Sequence, residues 1–148
     1  MTITPAAPAD AAAVVELLLG QLAEHAIDTP RAAVEHAVTG MIAEPRRGRI
    51  FVARDGERFV GVAYVSFVWT LEHGGHSAWL EELYVRPEER SRGVGSALLA
   101  AALDFARADS CAALDLEVEA EHVRAANLYA RNGFERHTRT RWVRKLGY

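Results

Sequence analysis

The chain has 148 residues and a formal net charge of −3, with 50% of its residues apolar and 25% charged. That length carries one core without disulfide or metal staples, and the charge excludes a general drive toward nucleic acid or anionic membrane, so any anion site has to be local. The single cysteine, Cys111, excludes an internal disulfide and suits a reducing cytoplasm.

The N-terminus "MTITPAAPADAAAVV" has no basic run ahead of an apolar one, so no signal peptide is expected. No stretch reaches 18 uninterrupted apolar residues, so no membrane span is expected either. No repeat and no Gly/Ser/Pro linker interrupts the sequence, which predicts one cytoplasmic domain over residues 1–148.

In chain order, "TIT" at 2–4 predicts a short first strand stopped by Pro5. Asp10 is placed to cap a helix with the stripe Val15, Leu18, Leu19 and Leu22. Thr29 as N-cap and Pro30 at the first helical position predict a second helix. Two β-rich runs then flank Asp55-Gly56, a hairpin signal, and a third strand follows the turn at Gly74-Gly75 and ends before Arg86-Pro87. Residues 94–106 predict a helix with Val94, Ala97, Leu98, Ala101 and Phe105 on one face. "AALDLEV", 112–118, alternates like a strand. "EHVRAANLYARNG" predicts a helix ended by Gly133, and "FERHTRTRWVRKL" one or two last strands. The order β, α, α, β, β, β, α, β, α, β(β) predicts an α/β fold, a central mixed β-sheet flanked by helices.

The stretch richest in chemistry is "LEELYVRPEERSRGVGSALLAAAL", 80–103. A strand, a charged turn and a helix opened by Gly93 and Gly95 present several backbone N–H groups in one direction. The helix N-terminus adds partial positive charge, so this is a phosphate-binding arrangement. Arg90 and Arg92 add local charge. It is not a nucleotide-triphosphate loop, because no Gly-Lys-Ser/Thr follows. Nor is it a dinucleotide fingerprint, which needs a further glycine where Leu98 stands.

These residues resemble the acyl-CoA-binding segment of the GNAT superfamily of N-acetyltransferases, whose loop reads Arg/Gln-x-x-Gly-x-Gly/Ala, here Arg90, Gly93 and Gly95. "LYARNGF", 128–134, is similar to the Leu-Tyr-x-x-x-Gly-Phe that closes that family's core. The resemblance implies the GNAT fold and acetyl-CoA as co-substrate. It implies that backbone amides of Arg90, Ser91, Arg92, Gly93, Val94, Gly95 and Ser96 hold the pyrophosphate. The pantetheine arm would pair with the main chain of Leu83, Tyr84 and Val85 along a splayed strand edge. Tyr129 matches the tyrosine placed by the coenzyme A sulfur, and Asn127 has a counterpart in the polyamine branch. His122 departs from the family, which often carries asparagine there. Members commonly dimerise, so a homodimer is possible.

Acetyl transfer to an amine requires removal of an ammonium proton, a donor for the tetrahedral oxyanion and a proton or hydrogen bond for the leaving thiolate. Glu81 and Glu82 on the strand suit the first demand. Neighbours in a regular strand face opposite ways, so one of the two reaches the acetyl group unless a bulge intervenes; the family pattern favours Glu81. The expected acceptor is a small-molecule primary amine of polyamine, aminoglycoside or amino-acid type, with a protein N-terminal amine as alternative. A non-catalytic acyl-CoA sensor is the rival reading. The histidines show no HExxH or Cys/His spacing, so no metal is expected, and Cys111 reads as a small core residue. The basic "RHTRTRWVRK" reads as a wet strand face rather than a nucleic-acid site.

Overall fold

The computed structural model describes residues 1–147, which divide into two compact units, residues 1–117 and the residues from 118 onward. In the first unit, strands β1 (Thr2–Pro5), β2 (Gly48–Asp55), β3 (Arg58–Thr70), β4 (Gly75–Val85) and β5 (Leu114–Leu116) form one sheet in the order β1-β2-β3-β4-β5. The first four strands are antiparallel and β5 runs parallel to β4, so the sheet is mixed as expected. Gly56 (φ 60°) turns the β2–β3 hairpin, and Gly74 (φ 76°) with Gly75 (φ 130°) turns β3 into β4. Both turns stand where the glycine signals predict them.

Helices α1 (Ala11–Glu24) and α2 (Arg31–Ala43) cover one face. Val14, Leu17, Leu18, Val34, Val38 and Met41 pack there with Ile50, Val52, Val62 and Tyr84 of the strands. Helix α3 (Val94–Ala108) buries Val94, Leu98, Leu99, Ala102 and Ala106, two of them within the predicted stripe. A Cβ on Gly61 of β3 would stand 2.9 Å from Leu98 Cδ1 and 2.9 Å from the Tyr84 carbonyl oxygen. The helix therefore lies on the sheet at a distance that only glycine permits at this point. Phe105 bridges α3 to β2 and β3, with its ring 5.6 Å from Phe51 and 5.1 Å from Phe67. Each fully buried Val or Leu of this core, such as Val14, Leu17 or Leu98, contributes roughly 1.5–3 kcal/mol.

Two predicted caps differ from the structure. Asp10 gives no side-chain cap to α1. Its Oδ2 accepts from the Ala7 N–H at 2.8 Å and its Oδ1 pairs with Arg54 at 2.7 Å, so the carboxylate ties the turn before α1 to β2. The nearby guanidinium competes with the helix amides for this anion and takes it. Pro30, not Thr29, occupies the N-cap of α2, and its carbonyl accepts from Ala33 and Val34.

In the second unit, α4 (Val123–Arg131) ends at Gly133 as predicted. The expected final strands over residues 134–146 are absent among the described residues. Almost all of that stretch is exposed, and it shows no ladder partner. Alternating cations suit one wet face, but a strand forms only where a neighbour supplies the hydrogen bonds. No described helix is long and apolar enough to cross a membrane.

Candidate functional site

The β3–β4 ladder carries the first local irregularity of the site. Tyr64 pairs with Glu82 and the next residue, Val65, pairs with Leu80, so Glu81 is an extra residue in β4. This is a β-bulge, and it resets the alternation of the strand. Tyr64 belongs to the α1–α2 face with Val62 and Tyr84; Val65, the next residue, therefore points to the other side. Leu80 follows Val65, whereas Glu82, opposite Tyr64, turns to the α1–α2 face. Without the bulge Leu80 and Glu82 would share a face.

Glu82 is thereby half-buried beside α1. Burial pushes its carboxyl up to about 7, and the Glu81 charge adds to the shift. The charge of His25 and a hydrogen bond from Gln21 work in the opposite direction. Gln21 is itself buried, and its Oε1 has no hydrogen-bond partner among the described residues. Glu81 is exposed, and its charge also helps burial raise the Tyr64 hydroxyl to about 12. The Tyr64 hydroxyl donates to the Ala37 carbonyl of α2 at 3.4 Å. The bulge therefore leaves two carboxylates in electrostatic reach of each other, one exposed and one sheltered. Sequence reasoning missed Gln21 and His25. Their i, i+4 spacing at the polar end of the α1 stripe was the available signal.

Beyond the bulge, the β4–β5 ladder runs only from Ala78↔Leu114 to Leu80↔Leu116. Leu83, Tyr84 and Val85 lie past its end, on a strand edge with no β5 partner among the described residues. The main chain of these three residues is thus open on that side of the sheet among the described residues. The Val85 carbonyl accepts from Arg90 Nε at 2.9 Å, so the loop folds back on the strand.

The loop from Arg86 to α3 is built by its charges. A 3-10 turn at Pro87–Glu89 leads into it. Arg90 Nη2 contacts both carboxylate oxygens of Glu24, at 2.6 and 2.8 Å, and its guanidinium lies 5.6 Å from the centre of the Tyr84 ring. Arg92 pairs at 2.6 Å with the buried Glu89, which also meets Arg58 at 3.2 Å. Both expected phosphate-side arginines are thus held in ion pairs within the chain. Their first effect is to shape the loop. The Arg90 N–H is spent on the Pro87 carbonyl at 3.3 Å, so that amide is engaged within the loop.

Ser91 (φ 64°) and Gly93 (φ 82°) both adopt the left-handed region, which folds the loop into a concave turn at the start of α3. Gly93 is the N-cap, and no side chain caps the helix. The first α3 bond is from the Ala97 N–H to the Gly93 carbonyl at 3.0 Å. The N–H groups of Val94, Gly95 and Ser96 therefore have no acceptor within the helix, and they carry its positive end. A pyrophosphate satisfies such a site without side-chain charge.

In the second unit, the "LYARNGF" motif has a mechanical reading. Gly133 (φ 84°) is the residue after the C-cap; its N–H bonds the Ala130 carbonyl at 3.1 Å, and the Phe134 N–H bonds the Tyr129 carbonyl at 3.1 Å. This is a Schellman ending, and its usual apolar contact is the Phe134 ring edge-on to Tyr129 at 5.7 Å. The glycine thus lets the phenylalanine return against the tyrosine and orient it. Tyr129 is half-buried, Asn127 is exposed, and His122 sits at the N-cap of α4 without a side-chain cap bond.

The bulged acid strand, the open edge, the uncapped glycine turn and the Tyr-Gly-Phe ending agree with one family model, described as the acetyltransferase (GNAT) family, which matches residues 13–134. The chain belongs to the GNAT family. It is an acetyltransferase by class, and its mixed sheet with flanking helices is the GNAT fold. An aminoglycoside N(6')-acetyltransferase type 1 of Stenotrophomonas maltophilia is 35% identical over 148 residues, 97% of this chain and 92% of that protein. YhfO of Bacillus subtilis, an uncharacterised N-acetyltransferase, is 30% identical over 89 residues, and this match spans only 60% of either chain. Among solved structures, an integron cassette protein from the Cole Harbour Salt Marsh metagenome superposes with a TM-score of 0.86 at 25% identity, covering 99% of this chain and 91% of that one. An aminoglycoside N-acetyltransferase solved with CoA superposes with a TM-score of 0.84 at 20% identity, covering 99% and 95%, and so shows the shared fold.

Proposed function

We propose that the protein transfers the acetyl group of acetyl-CoA to a primary amine of a small polycationic acceptor, of which an aminoglycoside is the first to test. The observation that carries this reading is the bulge at Glu81, which places a sheltered carboxyl of pKa about 7 next to an exposed carboxylate. The 35% identity to the aminoglycoside enzyme along nearly the whole of both chains supports the acceptor class. The family match crosses from the first unit into the second, in support of residues 1–148 acting as one domain.

In this reading Glu81 attracts the ammonium and Glu82 takes its proton, directly or through one water. The family pattern points to Glu81, but the raised pKa of Glu82 suits it to the role of base. An amine loses its proton near pKa 10, so transfer to an ordinary carboxylate is uphill by roughly 8 kcal/mol, and transfer to a group near 7 by roughly 4 kcal/mol. The freed amine forms the N–C bond at the thioester carbonyl while a main-chain N–H beside the β4 bulge steadies the oxyanion. The C–S bond then breaks, coenzyme A leaves as thiolate, and the second proton of the amine nitrogen passes through solvent to that sulfur, giving the amide and the free thiol. Tyr129 hydrogen-bonds that sulfur; complete proton transfer from a phenol near 10 to a thiolate near 8.5 is uphill by roughly 2 kcal/mol. The amides from Ser91 through Ser96 hold the pyrophosphate, the main chain of Leu83–Val85 pairs with the pantetheine arm, and Asn127 assists at the coenzyme.

Release of free coenzyme A thiol from acetyl-CoA, followed across aminoglycosides, polyamines, amino acids and peptides, tests the reading. Release that depends on an aminoglycoside or polyamine supports it. Release with peptides alone moves the acceptor to protein N-termini, and silence from a protein that binds acetyl-CoA favours the sensor role.

A further inference from the structure

The far end of α3 carries a cluster that acetyl transfer does not use. His76 at the start of β4, Asp109 at the C-cap of α3 and Cys111 two residues on each offer one ligand atom, and these atoms lie within 4.8 Å of one another. From the juxtaposition of these three side chains we infer that the protein binds one zinc ion through His76, Asp109 and Cys111, with a fourth position left for water.

The donor set is the first argument. An imidazole nitrogen, a carboxylate oxygen and a thiolate sulfur form the mixed, borderline-soft set that suits Zn2+ and excludes Ca2+ or Mg2+, which take oxygen alone. Bonds of about 2.0–2.3 Å at tetrahedral angles put such ligand atoms roughly 3.3–3.6 Å apart. The ligand atoms now lie within 4.8 Å of one another, so the wider spacings close by at most about 1.5 Å, and His76 Nε2 and Asp109 Oδ2, 2.6 Å apart in a hydrogen bond, open by about 1 Å to admit the ion.

Rigidity is the second. Helix α3 ends in a Schellman turn: the Ser110 N–H bonds the Arg107 carbonyl at 3.0 Å and the Cys111 N–H bonds the Ala106 carbonyl at 2.9 Å, with Ser110 at φ 58°. This turn fixes Asp109 and Cys111 on either side of Ser110. The Ala112 N–H then bonds the His76 carbonyl at 2.9 Å, locking the third ligand's backbone to the same loop. The His76 ring packs 4.7 Å from Phe67. The ligands thus come from backbone that is already set, and partial exposure of all three leaves a path for the ion.

Zinc binds the thiolate, so the Cys111 thiol proton leaves to solvent as the ion enters. The cluster lies at the opposite end of α3 from Gly93, ~22 Å along a helix of this length at 1.5 Å per residue. It is thus separate from the acyl-CoA loop and acts on stability.

The test uses the full-length, reduced, metal-stripped protein with Co2+ and Zn2+ as probes. One equivalent of Co2+ is expected to give a thiolate-to-cobalt charge-transfer band with visible bands of a four-coordinate ion, and Zn2+ to displace it. Zn2+ also raises the melting temperature. Cys111→Ser, a one-atom change that keeps the fold, abolishes the charge-transfer band and weakens Zn2+ by at least about a hundredfold, beyond what disturbing an outer partner costs. Asp109→Asn and His76→Ala weaken it by at least about tenfold, whereas His73→Ala leaves it unchanged. A wild-type protein with no charge-transfer band overturns the inference, as does a Zn2+ affinity that survives both Cys111→Ser and His76→Ala.

Discussion

At the scale of single residues, Glu82 makes the sharpest claim. As the base it acts only when ionised, so kcat/KM should rise with pH through about 7. Glu82→Gln should lower kcat by at least about tenfold and remove that inflection, measured as a pH–rate profile with a saturating amine. The same carboxyl affects stability with the opposite sense. Its folded pKa is raised above the unfolded value, so the folded state binds more protons between about 4.5 and 7 and stability falls as pH climbs through that window. Glu82→Gln should therefore stabilise the protein at pH 8 relative to pH 5, by about 1–2 kcal/mol given that water still reaches part of the group. A melting series at the two pH values reads this directly. Tyr129→Phe separates chemistry from binding: turnover should drop by about tenfold or more while the acetyl-CoA Kd stays within about threefold. Turnover left unchanged would remove Tyr129 from its role at the sulfur.

At the scale of elements, the turn into α3 shows how shape and charge divide the work. A Cβ on Gly93 would meet nothing within 4 Å, so Gly93→Ala brings no clash. Its cost lies in the left-handed φ of 82°, about 1 kcal/mol for an L side chain. The relaxed turn should swing the Val94–Ser96 amides out of line. The acetyl-CoA Kd should then rise by about tenfold with only a small loss of stability, a pattern that titration calorimetry and thermal melts distinguish together. The sequence pattern of this element was legible because glycines after a strand and before an apolar stripe have few other uses. What it did not disclose is that Arg90 and Arg92 are engaged by Glu24 and Glu89. Arg90 and Glu24 stand 66 residues apart, and a pairing that distant is decided by how α1 lies on β4.

Over the whole molecule, ligand binding and folding are linked. Acetyl-CoA at a hundred times its Kd should stabilise the protein by about 2.7 kcal/mol if it binds the folded state alone. Differential scanning calorimetry at two acetyl-CoA concentrations checks this, and a melting temperature indifferent to the ligand would count against the loop as its site. The modest negative charge of the chain is consistent with such a ligand only because the favourable potential is local, at one helix end.

Local residue patterns set the order of elements from β1 through α4, the hairpins at Asp55-Gly56 and Gly74-Gly75, the glycine turn into α3 and the Tyr129–Phe134 ending, but not the final strands expected over residues 134–146. Each of the former is set by residues within a few positions of one another, through φ preferences, apolar period and capping. The sequence also supplied the family through two short motifs in order. Tertiary structure alone decided the rest. The bulge exists because β3 and β4 pair two residues against three, and that pairing sets which glutamate is sheltered. Asp10 left its expected cap because Arg54, distant in sequence, lies 2.7 Å away. The His76–Asp109–Cys111 cluster forms only when the end of α3 meets the start of β4. Burial, charge pairing and ligand geometry depend on contacts across the fold, and no local pattern in the chain encodes them.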